Sequence, residues 1–103
     1  MFGIFNKRGC DNCASLKEKQ LVKNPRELTA LISDIKLAVE NGVITPLTPD
    51  PKRYEQDFNL VLPEPPWSDI ILNRFQCTNC GAQFELFANT YQGSNKNGWH
   101  PKN

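Results

Sequence analysis

The stretch IILNRFQCTNCGAQFELFANTY, residues 70–91, decides how this chain folds. Two apolar-rich runs flank Cys77-Thr78-Asn79-Cys80-Gly81. Ile70 to Cys77 reads as one strand and Gln83 to Tyr91 as the next, with Phe84, Leu86 and Ala88 alternating against Glu85, Phe87 and Asn89. The segment between them is short enough for an antiparallel hairpin. Two residues between cysteines let both sulfurs of a tight turn point at one centre, and the amides of such a turn can donate hydrogen bonds to thiolates. Gly81 stands where that turn asks for a positive φ, which glycine adopts without strain. The expected hairpin therefore closes on a metal knuckle.

A second pair, Cys10 and Cys13, follows Gly9 near the start of the chain. Four thiolates suit the tetrahedral shell of Zn²⁺. The pairs are far apart in sequence, well beyond the roughly 15–20 residues of a compact four-cysteine pattern. Closing so long a loop still costs only about 4 kcal/mol beyond a constant. Apparent zinc-binding energies of roughly 10–16 kcal/mol exceed this. The expectation is one structural zinc held by Cys10, Cys13, Cys77 and Cys80, tying the N-terminus to the C-terminal hairpin. Iron in the same rubredoxin-like tetrahedron ranks below zinc. A redox pair also ranks below zinc, because a thioredoxin-type Cys-x-x-Cys opens a helix after a strand; plain thiols and disulfides complete the alternatives.

Four thiolates leave no open coordination position, so a catalytic zinc is not expected. His100, the one histidine, reads as a solvated tail residue. No glycine-rich phosphate loop accompanies it, and the carboxylates are scattered singly, with Glu55 and Asp57 read as solvated loop charges. The chain is not expected to be an enzyme.

Between the cysteine pairs lies the clearest helix. Asn24 is a suitable N-cap, Pro25 fits the first helical position, and Glu27 completes an Asn-x-x-Glu arrangement. Leu28, Leu31, Ile32, Ile35, Ala38 and Val39 recur at helical spacing, and Asn41-Gly42 is a stop signal. The helix is predicted over 25–41, with Leu37 stranded among polar residues. Ala14 to Lys23 is expected to carry a short helical turn. The Pro-rich segment 45–66 reads as loop, interrupted by a short strand over Phe58 to Leu62, and Trp67 as a cap on the core. Residues 93–103 look like a flexible tail from which Trp99 folds back onto the hairpin. The predicted architecture is α+β: one amphipathic helix packed on a small antiparallel sheet, in a single domain spanning 1–103.

Composition supports a packed domain, with 39% apolar and 22% charged residues among 103. No apolar run approaches the ~20 residues of a membrane span. Met1 to Phe5 is too short for a signal core and precedes its basic residues, so a cytoplasmic location is expected. The net charge is +1. Lys7, Arg8, Lys17, Lys19, Lys23 and Arg26 nevertheless make the first quarter of the chain basic. A nucleic-acid reading would put these on phosphates and stack Phe75, Phe84, Phe87 or Tyr91 on bases. Aromatics alternating on a strand more often build a core.

Residues 75–86, FQCTNCGAQFEL, resemble the knuckle-hairpin of zinc-ribbon proteins. The continuation Tyr91-Gln92-Gly93-Ser94 and Gly98-Trp99 resembles a class of small, uncharacterised bacterial proteins, some of them similar to immunity proteins of polymorphic toxin systems. The resemblance implies a non-catalytic zinc protein whose partner is another protein, a toxin that it occludes. Asp50, Glu55, Asp57, Glu64 and Asp69 would then offer an acidic surface to a basic partner. A nucleic-acid-associated zinc ribbon and a thiol-based redox or metal sensor are the alternatives.

Overall fold

The computed structural model describes residues 11–102, with Asp11 and Asn12 described by backbone alone. One helix, α1 (Pro25–Glu40), covers a five-stranded antiparallel sheet. Its strands are β1 (Gln20–Leu21), β2 (Ile44–Pro46), β3 (Ile70–Cys77), β4 (Gln83–Asn89) and β5 (Gly98–Lys102), in the order β1-β5-β4-β3-β2. The predicted α+β class is the observed one.

The start of α1 follows from its cap. Asn24 Oδ1 accepts from the Glu27 N–H at 2.9 Å, satisfying one of the amides that a helix start leaves without a partner. Glu27 Oε1 in turn accepts from the Lys23 N–H at 2.7 Å, one residue earlier than in a standard capping box. Leu28, Leu31, Ile32 and Ile35 are buried, while Leu37 is 56% exposed on the far side. The helix ends where Gly42, at φ +75°, turns the chain toward β2.

The buried face of the sheet is built by alternation. Ile71, Phe75 and Cys77 of β3, Phe84, Leu86 and Ala88 of β4, and Trp99 of β5 meet the helical stripe in one core. Registers Phe75↔Phe84 and Leu86↔Trp99 bring the large rings together. Trp99 lies nearly parallel to Phe84 at 5.2 Å between centroids and tilted on Phe75 at 5.5 Å. Phe75 and Phe84 thus serve packing and cannot stack on bases. The segment read as a tail ends in β5: a full ladder to β4 and a fully buried Trp99 supply the apolar area that its polar flanks hide in the sequence.

Two readings of the Pro-rich segment are corrected. Phe58–Leu60 is a 3-10 turn, not part of a strand. Asp57 caps it, accepting from the Asn59 N–H at 2.9 Å. The apolar spacing gives the reason: Phe58 and Val61 enter the core while Leu60 and Leu62 face solvent. Three-residue spacing is that of a helical turn, whereas a strand would bury alternate residues.

Glu55 is the second correction. Its side chain is 1% exposed, so it is not a solvated charge or part of an acidic surface. Arg74 Nε donates to it at 2.8 Å, the Asp50 N–H at 3.1 Å, and Arg53 stands 3.5 Å away. The Glu55 hydrogen bond holds the Arg74 guanidinium above its ordinary value. Glu85 extends the network, with Arg53 at 2.9 Å and Lys102 at 3.2 Å. Beside it, Gln56 imitates a strand. Its carboxamide accepts from the Leu72 N–H at 3.1 Å and donates to the Ile70 carbonyl, while its own carbonyl accepts from Asn73 Nδ2. β2 pairs only with Phe75 to Cys77, and Gln56 covers β3 beyond that point.

Candidate metal centre

Cys77 is the last residue of β3, and Cys80 lies in the turn leading to β4. Alternation on β3 directs Cys77 to the buried face, where it is 2% exposed. The turn is closed by the Gly81 N–H to the Cys77 carbonyl at 3.1 Å and the Cys77 N–H to the Ala82 carbonyl at 2.7 Å. Gly81 takes φ +82°, the conformation expected of it. The Asn79 N–H points at Cys77 Sγ at 3.4 Å, the amide-to-sulfur contact expected of such a turn. Behind the turn, Thr78 donates through its hydroxyl to the Gly42 carbonyl at 2.6 Å and through its N–H to the Val43 carbonyl at 3.1 Å. The knuckle is thereby fixed to the end of α1.

Cys13 arrives from the other side. Asp11–Leu16 forms two short 3-10 turns that meet at Cys13, where φ is −109° and ψ 17°. This is the helical turn expected nearby, placed earlier than predicted; Gln20 and Leu21 leave it as β1. Cys13 is fully buried, and its Sγ lies 3.8 Å from Cys80 Sγ across 67 positions of sequence. The sulfurs of Cys13, Cys77 and Cys80 all lie within 4.8 Å of one another. A tetrahedral thiolate site with metal–sulfur bonds of ~2.3 Å has sulfur–sulfur edges of ~3.8 Å. The Cys13–Cys80 separation matches such an edge and is far longer than the ~2.05 Å of a disulfide. The three cysteines are positioned to hold a metal ion. Cys10, the fourth predicted ligand, lies outside the described residues.

His100 does not join the cluster. It stands in β5 opposite Glu85, and its ring bonds the Lys96 carbonyl at 2.6 Å. Trp67 packs on the core margin and donates through Nε1 to the Leu62 carbonyl at 2.9 Å, as a capping residue would.

Two residues that the sequence did not tie to the cysteines also shape the site. Trp99 Nε1 donates to the Leu16 carbonyl at 2.8 Å, three residues beyond Cys13. Next to it, Gly98 at φ +144° lets β1 approach so closely that a Cβ there would lie 2.0 Å from the Gln20 carbonyl oxygen. Together they press the Cys13 segment onto the sheet. Gly98 beside a tryptophan was visible in the sequence, but β1 is too short and too polar to announce its partner.

Comparison with protein-family models, with curated proteins and with solved structures returns no match. Among the described residues, no helix is long and apolar enough to cross a membrane.

Proposed function

We propose that Cys10, Cys13, Cys77 and Cys80 hold one structural Zn²⁺, and that the chain is a non-catalytic, metal-stapled module that binds another protein. One observation carries the reading. A buried cysteine from the N-terminal segment comes within 4.8 Å of both cysteines of a knuckle, and its 3.8 Å separation from Cys80 is the edge of a thiolate tetrahedron. Cys10 supplies the fourth thiolate through the same two-residue spacing that serves Cys77 and Cys80. A filled thiolate shell gives the ion a structural role, because no position remains for substrate or water. Thiolates favour zinc, and the Asn79 amide reaches one of them, at Cys77.

Binding to a protein is favoured over binding to nucleic acid by the placement of the aromatics: of the four that would stack on bases, Phe75 and Phe84 are consumed by the core, Phe87 is half-buried, and only Tyr91 is exposed, which leaves no row of stacking rings. Leu60 and Leu62, 76% and 60% exposed on the Pro-rich segment, are apolar side chains fit for a protein contact. The resemblance of Tyr91-Gln92-Gly93-Ser94 and Gly98-Trp99 to small immunity-type bacterial proteins narrows the proposed partner to a toxin that the chain occludes.

Elemental analysis and native mass spectrometry of reduced protein test the metal reading. One zinc per chain is expected, lost in Cys77→Ser and weakened in Cys10→Ser. Metal-free protein after zinc loading would refute it. Capture from the native host tests the partner: a bound protein released by Leu60→Glu with Leu62→Glu supports the module. Co-purifying nucleic acid, with binding that falls steeply with salt, refutes it.

A further inference from the structure

The three described cysteines are unequally buried. Cys13 is 0% and Cys77 2% exposed, whereas Cys80 is half-buried at the mouth of the knuckle turn. Cys77 Sγ also receives the Asn79 N–H, which draws charge from that sulfur. Of the three described thiols, Cys80 is thus the one that a small electrophile from solvent meets first. Among the described sulfurs, Cys13 Sγ lies 3.8 Å from that of Cys80, on a segment that comes from the opposite end of the chain.

We propose that Cys80 is a modification site for hydroperoxides, and that Cys13 resolves the oxidised sulfur into a Cys13–Cys80 disulfide that expels the metal. The proposal rests on the metal reading above and adds a regulated way out of it. In the first step the Cys80 thiolate attacks the outer oxygen of the hydroperoxide. The S–O bond forms, the O–O bond breaks, and alkoxide or hydroxide leaves and is protonated by water. In the second, the Cys13 thiolate attacks the Cys80 sulfenic sulfur, the S–S bond forms, and hydroxide leaves and is protonated. Two sulfurs each give up one electron, and the two electrons reduce the peroxide. The sulfurs close from 3.8 Å to the ~2.05 Å of a disulfide. Closure draws on the short turns at Cys13, since Cys80 is held by the knuckle.

The consequence distinguishes this site from a metal staple that oxidation simply destroys. A Cys13–Cys80 bond joins the same two segments that the ion joins, so the N-terminal segment stays on the hairpin while the metal leaves. Oxidation exchanges one fastener for another, and reduction restores the ligand set.

The zinc-loaded full chain is treated with one equivalent of hydrogen peroxide, zinc release is followed with a chromogenic chelator, and thiols and disulfides are mapped by peptide mass spectrometry. One zinc released per chain with Cys13–Cys80 as the main crosslink, reversed by reductant, is the expected result. In untreated wild-type protein, iodoacetamide labels Cys80 about tenfold faster than Cys13 or Cys77, because exposure governs access to the thiolate. A chain that takes up no zinc overturns both the metal reading and this proposal. A zinc-loaded chain that gives Cys10–Cys13 or Cys77–Cys80 as its main crosslink, no crosslink, or equal labelling of the three thiols overturns this proposal alone.

Discussion

Gly98→Ala tests how the N-terminal segment is held beside the cysteines. The glycine sits at φ +144°, where an L side chain is strained, at a cost of about 1–3 kcal/mol. The added Cβ would stand 2.0 Å from the Gln20 carbonyl oxygen, 2.9 Å from the Leu21 Cα and 3.0 Å from the Gln20 carbonyl carbon. All are backbone atoms of β1, so no side chain can swing aside. β1 must move off β5 by more than an ångström. That motion strains the Gln20↔Trp99 and Leu21↔Gly98 pairings and the Val22 N–H to Asn97 carbonyl bond at 2.9 Å. Each hydrogen bond lost contributes about 0.5–1.5 kcal/mol.

The expected destabilisation is about 2–4 kcal/mol, since the backbone relieves some strain by giving up the pairing. Urea unfolding of the zinc-loaded protein reads it directly, and for a domain of this size Tm should fall by roughly 10–20 °C. Metal affinity should fall with it, because Cys13 lies on the displaced segment. Competition with a chelator measures that second effect. A variant within ~0.5 kcal/mol of wild type, with unchanged zinc affinity, would mean that β1 does not pack as described and would refute the argument.

The remaining predictions use the same assays. Glu55→Gln, which keeps the shape but removes a buried charge from Arg74 and Arg53, should cost about 1–3 kcal/mol in urea unfolding. Trp99→Phe removes the indole donor to the Leu16 carbonyl and part of a buried ring; it should cost about 1–3 kcal/mol and reduce zinc affinity, whereas a loss of stability with affinity intact would separate the core from the site. Lys36, whose Nζ donates to the Phe58 carbonyl and lies over the Phe58 ring, is lowered below 10.5 by burial, with Asp57 opposing. The folded chain releases that proton before the unfolded chain does, so the penalty is full below the lowered value and stability rises with pH from there to 10.5. NMR titration should place the Lys36 amine below the exposed lysines. Acidification should release the metal, because protons compete for the thiolates, and spectroscopy of a cobalt-loaded sample would follow it.

What the sequence disclosed, and what it withheld, divides along one physical line. Local signals were legible: the Asn24 cap, the four-residue rhythm of α1, alternation on β3 and β4, and the Gly81 turn are each specified by residues within a few positions of one another. Trp99 was expected to return to the hairpin because so large an apolar ring needs cover. Signals shared across the chain were hidden. β1 is two residues long, and both are exposed, so no period exists to detect. Glu55 reads as a loop charge until Arg74, 19 positions away, is seen beside it. Phe58 to Leu62 has β-favouring residues, yet the Asp57 side chain settles a helical turn by capping it locally. At the metal centre, the knuckle follows from its own five residues, while the meeting of Cys13 with Cys80 depends on the sheet that lies between them.

That dependence changes the energetics of the staple. Taken from an unfolded chain, joining Cys13 to Cys80 closes a loop of 67 positions at about 4 kcal/mol beyond a constant. In the folded sheet β1 is already paired to β5 at Gln20, seven positions after Cys13, and the remaining closure costs only about 2 kcal/mol by the same relation. About half of the loop-closure cost is thereby met in advance by Gly98, Trp99 and the β1–β5 pairing. Linkage makes the relation mutual: whatever docking of β1 adds to metal affinity, the metal returns to the docking of β1. The ion and the edge strand act as two fasteners on one short segment, and loosening either weakens the other.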